Sequence, residues 1–286
     1  MFLNIKCMKI GLIGVGNMGT PLLRKLINNK YNASVLLENN NNSNYDCMTF
    51  KNNELNQFIK YNTKFISVLP NSNITYDLVS NINNKDSKIW MDLCSSSPKD
   101  VVKISDCLQR NNINYIDAPV SGGPKGMEKG ILTSIISGPE KTYKDFLNII
   151  NLYSDKIFYV SDKVGTSSTI KLANNTLLAL NLISSAEILN ILDQNNVDLL
   201  SALNFINNSS GRNWATLQRY PDNILTGKYD YGFSYQLHKK DVLTFIDSVK
   251  PINNKFLLEK IENIYRDKKN DLGKNMDHTE IVKLIK

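Results

Sequence analysis

The stretch GVGNMGTPLLRKL, residues 14–26, decides how this chain is read. In the spacing Gly14-x-Gly16-x-x-Gly19 the first glycine permits a tight turn, the second lets backbone approach a phosphate, and the third lets a helix pack closely on a strand. Short glycine patterns recur by chance, so the flanks must decide. Upstream, MKIGLIGV (8–15) is a continuous apolar run of the kind that forms a parallel strand buried on both faces. Downstream, TPLLRKLINN carries Pro21 in a first helical turn and Leu22, Leu23 and Leu26 at helical spacing. A second strand, ASVLLE, ends on Glu38, where a dinucleotide-binding βαβ unit places an acid for the ribose hydroxyls. The turn residues Gly14, Val15, Gly16, Asn17, Met18 and Gly19, with Glu38 and Asn39, are therefore candidate cofactor contacts. The helix amino terminus offers N–H groups and a positive dipole end to the pyrophosphate.

The rest of the first half repeats the alternation. KFISVLP (64–70), KIWMDLCS (88–95), INYIDAPVSGG (113–123), LTSIISGP and IFYVS read as strands, with helices beginning near NSNITYDLVSNI and SPKDVVKISDCLQ. An open doubly wound sheet binds its ligand outside the carboxyl ends of its strands. Leu69, Pro70, Asn71, Ser95 and the segment Ser121, Gly122, Gly123 are expected around one crevice. The asparagine-rich tract ENNNNSN (38–44) reads as a loosened surface loop.

Composition narrows the classes. The chain has 286 residues, enough for two domains, and 42% hydrophobic residues, enough for a core. No apolar run is expected to approach the roughly twenty residues of a membrane span, and the head MFLNIKC reads neither as a signal peptide nor as an arginine-rich transit peptide. Cys7, Cys47, Cys94 and Cys107 form no metal-ligand spacing, and the histidines are His238 and His278, so no metal site is expected and a reducing compartment is. The reading is cytoplasmic, with a mitochondrial location left open. The net charge of +7 comes from scattered Lys and Arg with no basic run interleaved with aromatics, which argues for a solvated surface and against nucleic acid.

Past residue 165 the pattern turns helical. STIKLANNTLLALNLISSAEILNIL, from 168, reads as one long helix with a wide buried stripe including Ile170, Leu177 and Ile188. VDLLSALNFINNSS, DVLTFIDSVKP and FLLEKIENIYRD are further amphipathic helices. The fold class is thus α/β: an N-terminal Rossmann-type doubly wound sheet over residues 1–163, then an all-α domain over 164–286 with a long interdomain helix. An apolar helix surface too wide for one small domain favours self-association.

Several motifs, in order and covering nearly the whole chain, resemble those of the β-hydroxyacid dehydrogenase family, in particular its 3-hydroxyisobutyrate branch. GLIGVGNMGTPLL is similar to the family's cofactor turn, VLP to its second cofactor contact, and DLCSSSP (92–98) to its stretch beside the nicotinamide ribose. DAPVSGGPKG (117–126) resembles the substrate-binding motif, GTSSTIKLANN (165–175) the catalytic motif, NNSSGRNW (207–214) a stretch of the 3-hydroxyisobutyrate branch, and FSYQLHKKD (233–241) a signature beside the cofactor. The resemblance implies an NAD(P)-dependent oxidoreductase of a small 3-hydroxy acid, a homodimer or homotetramer, with Asn174 and Trp214 at the substrate and Lys240 at the cofactor.

Oxidising such an acid needs a hydride acceptor, a group for the hydroxyl proton and an anchor for the carboxylate. Ser121, Gly122 and Gly123 alone would be a plain turn; beside the other motifs they suit the anchor, through a hydroxyl and accessible N–H groups. Lys171 and Asn175 lie four apart on one helix face and can meet at one substrate oxygen. A lone lysine on an apolar helix also fits a snorkelling side chain, and it is the resemblance that assigns Lys171 to proton transfer, aided by a burial expected to lower its pKa. Neither histidine is expected at the crevice. Three residues depart from the family pattern: Ser167 for a glycine, Cys94 for a serine, and Glu38-Asn39 at the usual aspartate. Glu38 would repel a 2′-phosphate, favouring NAD with NADP left open. Reduction of a semialdehyde or of glyoxylate stays as an alternative, as does a non-catalytic cofactor-binding scaffold.

Overall fold

The structure, a computed structural model, describes residues 8–38, 41, 43–248, 256–267, 272–273 and 275–285. Asn39, expected at the cofactor, lies outside the described residues, as do Cys7 and much of the asparagine tract. The backbone divides into two compact units, one ending at Lys171 and one beginning at Leu172. That division falls inside a helix, a few residues past the 163/164 border expected from composition.

The first unit is a twisted sheet. Its strands are β1 (Lys9–Ile13), β2 (Asn32–Leu37), β3 (Met48–Lys51), β4 (Lys64–Ser67), β5 (Lys88–Asp92), β6 (Ile113–Asp117), β7 (Val120–Ser121), β8 (Leu132–Ser137) and β9 (Ser154–Ser161). β3-β2-β1-β4-β5-β6 run parallel in that order, β8 joins β6 antiparallel, and β9 pairs with β8. Strand order therefore reverses between β1 and β4, where such folds open a ligand crevice. Helices α1 (Gly19–Asn28), α2 (Leu55–Tyr61), α3 (Ser72–Val79), α4 (Pro98–Arg110), α5 (Gly123–Lys129) and α6 (Glu140–Ile150) cover the sheet.

Alternation along each strand supplies two cores. Ile10, Leu12, Val35, Leu37, Ile66 and Met91 pack with Leu22, Leu23 and Leu26 of α1 and Phe146 and Ile150 of α6. Ile13, Leu36, Phe65, Trp90 and Tyr115 point the other way, onto Phe58 of α2 and Val101, Ile104 and Leu108 of α4. A strand packed on both faces must be apolar throughout, which is why these segments read as continuous runs. The expected strand over 113–123 is broken: Ala118 and Pro119 separate β6 from β7, since Pro119 has no N–H for a ladder.

The second unit is helical: the remainder of α7 (Thr166–Gln194), α8 (Leu199–Asn207), a π-helix (Ala215–Ile224), α9 (Tyr235–Ser248), α10 (Phe256–Arg266) and a 3₁₀-helix (His278–Leu284). Its core joins Ala179, Leu182, Ala186 and Leu189 of α7 to Leu203, Tyr220, Tyr235, Val242 and Tyr265. Two expectations for α7 fail. Ile170, Leu177 and Ile188 are 43%, 59% and 55% exposed, because the stripe facing the core is 172-175-179-182-186-189 and these three lie off it. The helix is also long and apolar enough to cross a membrane by length and composition, contrary to the expectation that no such run exists; scattered Ser, Thr and Asn disguise the run, and its buried stripe makes it the core helix of this unit.

Candidate active site

Each fingerprint glycine has a distinct physical reason. Gly14 follows β1 with φ +91°, and a Cβ there would lie 2.4 Å from the Val68 carbonyl oxygen. At Gly19 a Cβ would fall 1.8 Å from the Gly14 carbonyl oxygen, so α1 can begin beside the turn only without a side chain. Gly16 is different: no atom lies within 4 Å of the position its Cβ would take. No side chain caps α1, and the Thr20 hydroxyl donates to the Val15 carbonyl to brace the turn. An open backbone cradle at an uncapped helix start is what a pyrophosphate requires. Asn17 is exposed and Met18 partly buried on the same turn, and the exposed Glu38 stands one residue beyond β2. These residues fit a dinucleotide.

Leu69, Pro70 and Asn71 follow β4 across the reversal, with Leu69 beside Gly14; the Asn71 side chain accepts from Ile74 N and caps α3. Partly buried Ser95 follows β5. At the carboxyl ends of β5 and β6 two buried carboxylates, Asp92 and Asp117, lie in register on neighbouring strands. Burial pushes the Asp92 carboxyl up to about 6, against the pull of donors from Ser67, Cys94 N and Tyr115, and Asp117 pushes the same way. Asp117 ties down the start of α7: its Oδ1 accepts from Ser137 Oγ at 2.6 Å and Gly165 N at 3.0 Å, its Oδ2 from Ser167 Oγ and from Ser168 N at 3.1 Å. The departure at Ser167 is thus a working hydroxyl within this anchor.

One turn further along α7, Lys171 is 8% exposed. Also within this unit, a few residues past Asp117, Ser121 ends β7, exposed; Gly122 and Gly123 adopt φ +126° and +64°, and no atom lies within 4 Å of a Cβ at Gly123. Successive backbone N–H groups in such a bend can converge on an anion.

In the second unit Asn175, 3% exposed, donates from Nδ2 to Asp241 Oδ2 at 2.7 Å, and Asp241 Oδ1 meets Lys240 Nζ at 3.1 Å. Asn174 is exposed and donates to Asn175 Oδ1 at 3.2 Å. His238 is fully buried, with its Nε2 2.9 Å from the Asn175 carbonyl oxygen and its Nδ1 3.3 Å from the Tyr265 hydroxyl. Helical spacing 238/241 puts His238 and Asp241 on one face of α9, a signal available within FSYQLHKKD. Trp214, 48% exposed, precedes the π-helix.

A Rossmann sheet with an open glycine cradle, followed by a helical unit on a long helix, defines an NAD(P)-binding oxidoreductase. A model of the NAD-binding domain of 6-phosphogluconate dehydrogenase matches residues 9–161, and one of the NAD-binding region of NADP-dependent 3-hydroxyisobutyrate dehydrogenase matches 165–285. The chain belongs to the β-hydroxyacid dehydrogenase family. It is 28% identical to the 2-(hydroxymethyl)glutarate dehydrogenase of Eubacterium barkeri over 87% of this chain and 84% of that one. With the mitochondrial 3-hydroxyisobutyrate dehydrogenase of Rattus norvegicus the identity is 26%, over 90% and 81%. The solved Mycobacterium tuberculosis 3-hydroxyisobutyrate dehydrogenase with L-serine shares the fold at a TM-score of 0.87, 20% identity and coverage of 98% and 99%. Psf3 in complex with NADP+ and 2-OPP shares it at 0.79, 19%, 97% and 100%. NAD(P) is the cofactor.

Proposed function

We propose that the chain interconverts a small 3-hydroxy acid and its semialdehyde, with Lys171 as the proton-transfer group. The observation that carries this is the placement of Lys171: buried, one turn past Ser167, on a helix start held by Asp117 at the carboxyl end of β6. The names of the relatives support the substrate class, since 3-hydroxyisobutyrate and 2-(hydroxymethyl)glutarate both set a primary alcohol one carbon from a carboxylated carbon. The first is a monoacid, the second a diacid.

With its pyrophosphate held at the glycine turn, NAD(P) would supply the hydride acceptor. The Lys171 amine takes the hydroxyl proton, or returns it to the carbonyl oxygen in reverse. Asn175 uses one Nδ2 hydrogen on Asp241 and has a second for that same oxygen, so Asp241 fixes the amide's orientation. Asn174 and Trp214 border the substrate and Lys240 the cofactor. Ser121, Gly122 and Gly123 hold the carboxylate through a hydroxyl and backbone donors. Glu38 accepts from the ribose hydroxyls and repels a 2′-phosphate, so NAD is preferred over NADP. A homodimer or homotetramer is the proposed assembly, supported by Leu177, Ile188 and Ile191 of α7 and Leu200 and Phe205 of α8, each at least half exposed.

The test is spectrophotometric, with NAD and NADP and a panel of hydroxy acids, and with semialdehydes and glyoxylate in the reverse direction. Lys171→Ala is expected to lose about a hundred- to ten-thousand-fold in kcat with cofactor affinity retained, and Lys171→Arg not to rescue. Near-normal turnover by Lys171→Ala would refute the assignment, and no turnover by the wild type on any substrate would leave the scaffold reading.

A further inference from the structure

His238 is held more completely than a packing role requires. It is fully buried in the first turn of α9, and both ring nitrogens are committed, Nε2 to the Asn175 carbonyl oxygen at 2.9 Å and Nδ1 to the Tyr265 hydroxyl at 3.3 Å. The ring is caged as well. Its centroid stands 5.4 Å from that of Phe233, 5.3 Å from that of His278 at an interplanar angle of 88°, and 6.0 Å from that of Tyr265 at 86°. An apolar side chain of similar size would fill that cage without the cost of drying two ring nitrogens. All of these groups, with Asn175 and Asp241, belong to the second unit.

The partners dictate one tautomer. A backbone carbonyl only accepts, so Nε2 carries the proton and donates to Asn175 O. In the neutral ring Nδ1 must then accept, and the Tyr265 hydroxyl donates to it. Burial raises the Tyr265 pKa well above its ordinary value, which keeps that O–H proton in place.

What His238 holds is the residue given the reacting oxygen. His238 and Asp241, three apart on one face of α9, grip Asn175 at two points. The first bonds its main-chain carbonyl; the second accepts one amide hydrogen, Nδ2 to Oδ2 at 2.7 Å. Asn174 Nδ2 donates to the amide oxygen at 3.2 Å. With the main chain held at one end of the side chain and the amide at the other, the torsions between them are fixed, and with them the direction of the second Nδ2 hydrogen. Asp241 alone would leave the amide free to swing about its bond to the carboxylate.

We propose that His238 is a positioning residue: as the Nε2–H tautomer braced by Tyr265 it fixes the main chain at Asn175, and with Asp241 it sets the direction of the amide hydrogen offered to the substrate oxygen. The inference rests on the role given to Asn175 in the proposed reaction, but the grip itself can be read without turnover.

Isotope labelling of histidine and asparagine in the full chain gives two imidazole signals in proton–nitrogen NMR, one for each histidine, assigned with His238→Gln. The wild type should show His238 in the Nε2–H form alone. The Asn175 amide signal, identified by its loss in Asn175→Ala, should shift and broaden in His238→Met, which fills the space without a donor. In the assay His238→Met should lose about ten- to a hundredfold in kcat with KM and cofactor affinity retained, the scale of a misdirected donor. His238→Gln, whose amide nitrogen reaches the position of Nε2, should restore most of the rate. A packing role alone would give the reverse order, since methionine is the better filler of an apolar cage. An Nδ1–H or mixed tautomer in the wild type overturns the proposal, as does a folded His238→Met with wild-type kcat. If His238→Met does not fold, the wild-type tautomer and the rate of His238→Gln decide. The expected tautomer and amide shift with no turnover of any hydroxy acid would uphold the grip on Asn175 and refute the reaction.

Discussion

Gly16→Ala and Gly19→Ala, three residues apart in one turn, should fail in opposite ways. At Gly19 the new methyl would sit 1.8 Å from the Gly14 carbonyl oxygen and 2.9 Å from its carbon, both backbone atoms that cannot rotate away. Restoring ordinary contact needs a retreat of roughly 1.5 Å by the start of α1. Leu22, Leu23 and Leu26, all at most 2% exposed, would have to follow. Overpacking of this kind costs about 3 kcal/mol, a large part of a typical domain's stability. At Gly16 the methyl meets no protein atom within 4 Å, and the residue is outside the positive-φ set, so alanine is conformationally allowed. Stability should be unchanged or rise by up to ~1 kcal/mol through the unfolded chain. The methyl would instead occupy the space from which a pyrophosphate approaches, weakening NAD by about a hundredfold or more. Urea unfolding followed by the buried Trp90, with calorimetric titration of NAD, separates the two. A stable Gly16→Ala that binds NAD like the wild type would refute the cradle.

Asp117→Asn should keep one oxygen for Gly165 N and Ser137 Oγ but turn an amide nitrogen toward Ser168 N–H, costing about 1–3 kcal/mol in urea and lowering kcat more than cofactor affinity; unchanged stability would sink the anchoring role. Asp92 has its folded pKa raised to about 6 from an ordinary value of 3.8, so its contribution to stability is full below about pH 4 and is lost as pH rises through 6, in total about 3 kcal/mol. Asp92→Asn keeps an oxygen for Ser67 and Cys94 N while the Tyr115 hydroxyl turns to accept, and should remove that slope from denaturation midpoints between pH 4 and 7.5; an identical slope in the variant would contradict the shift.

Parts of the site were legible because their signals are local. The glycine spacing, the apolar runs of β1, β4 and β5, and the 171/175 spacing on α7 are consequences of backbone geometry and period, which neighbouring residues carry by themselves. β3 escaped notice because, as an edge strand of four residues, it buries only Phe50. The π-helix has no period of its own in the sequence and contains Pro221, which argues against any helix.

The sequence by itself determined that a βαβ turn opens the chain, that a helical half follows, and that Lys171, Asn175 and Ser121 to Gly123 are the groups to examine. Only the tertiary structure decided that Asp117 holds the start of α7, across 48 to 51 residues of chain, and that Asp241 and His238 hold Asn175 across 66 and 63. It likewise decided which face of α7 is buried and left Ile170, Leu177 and Ile188 outside, and it placed Arg219 against the rings of Tyr231 and Trp214. A period along the chain reports how a residue sits on its own helix or strand. Which distant carboxylate, ring or carbonyl meets it is set when elements pack, and burial then fixes what that meeting costs or contributes.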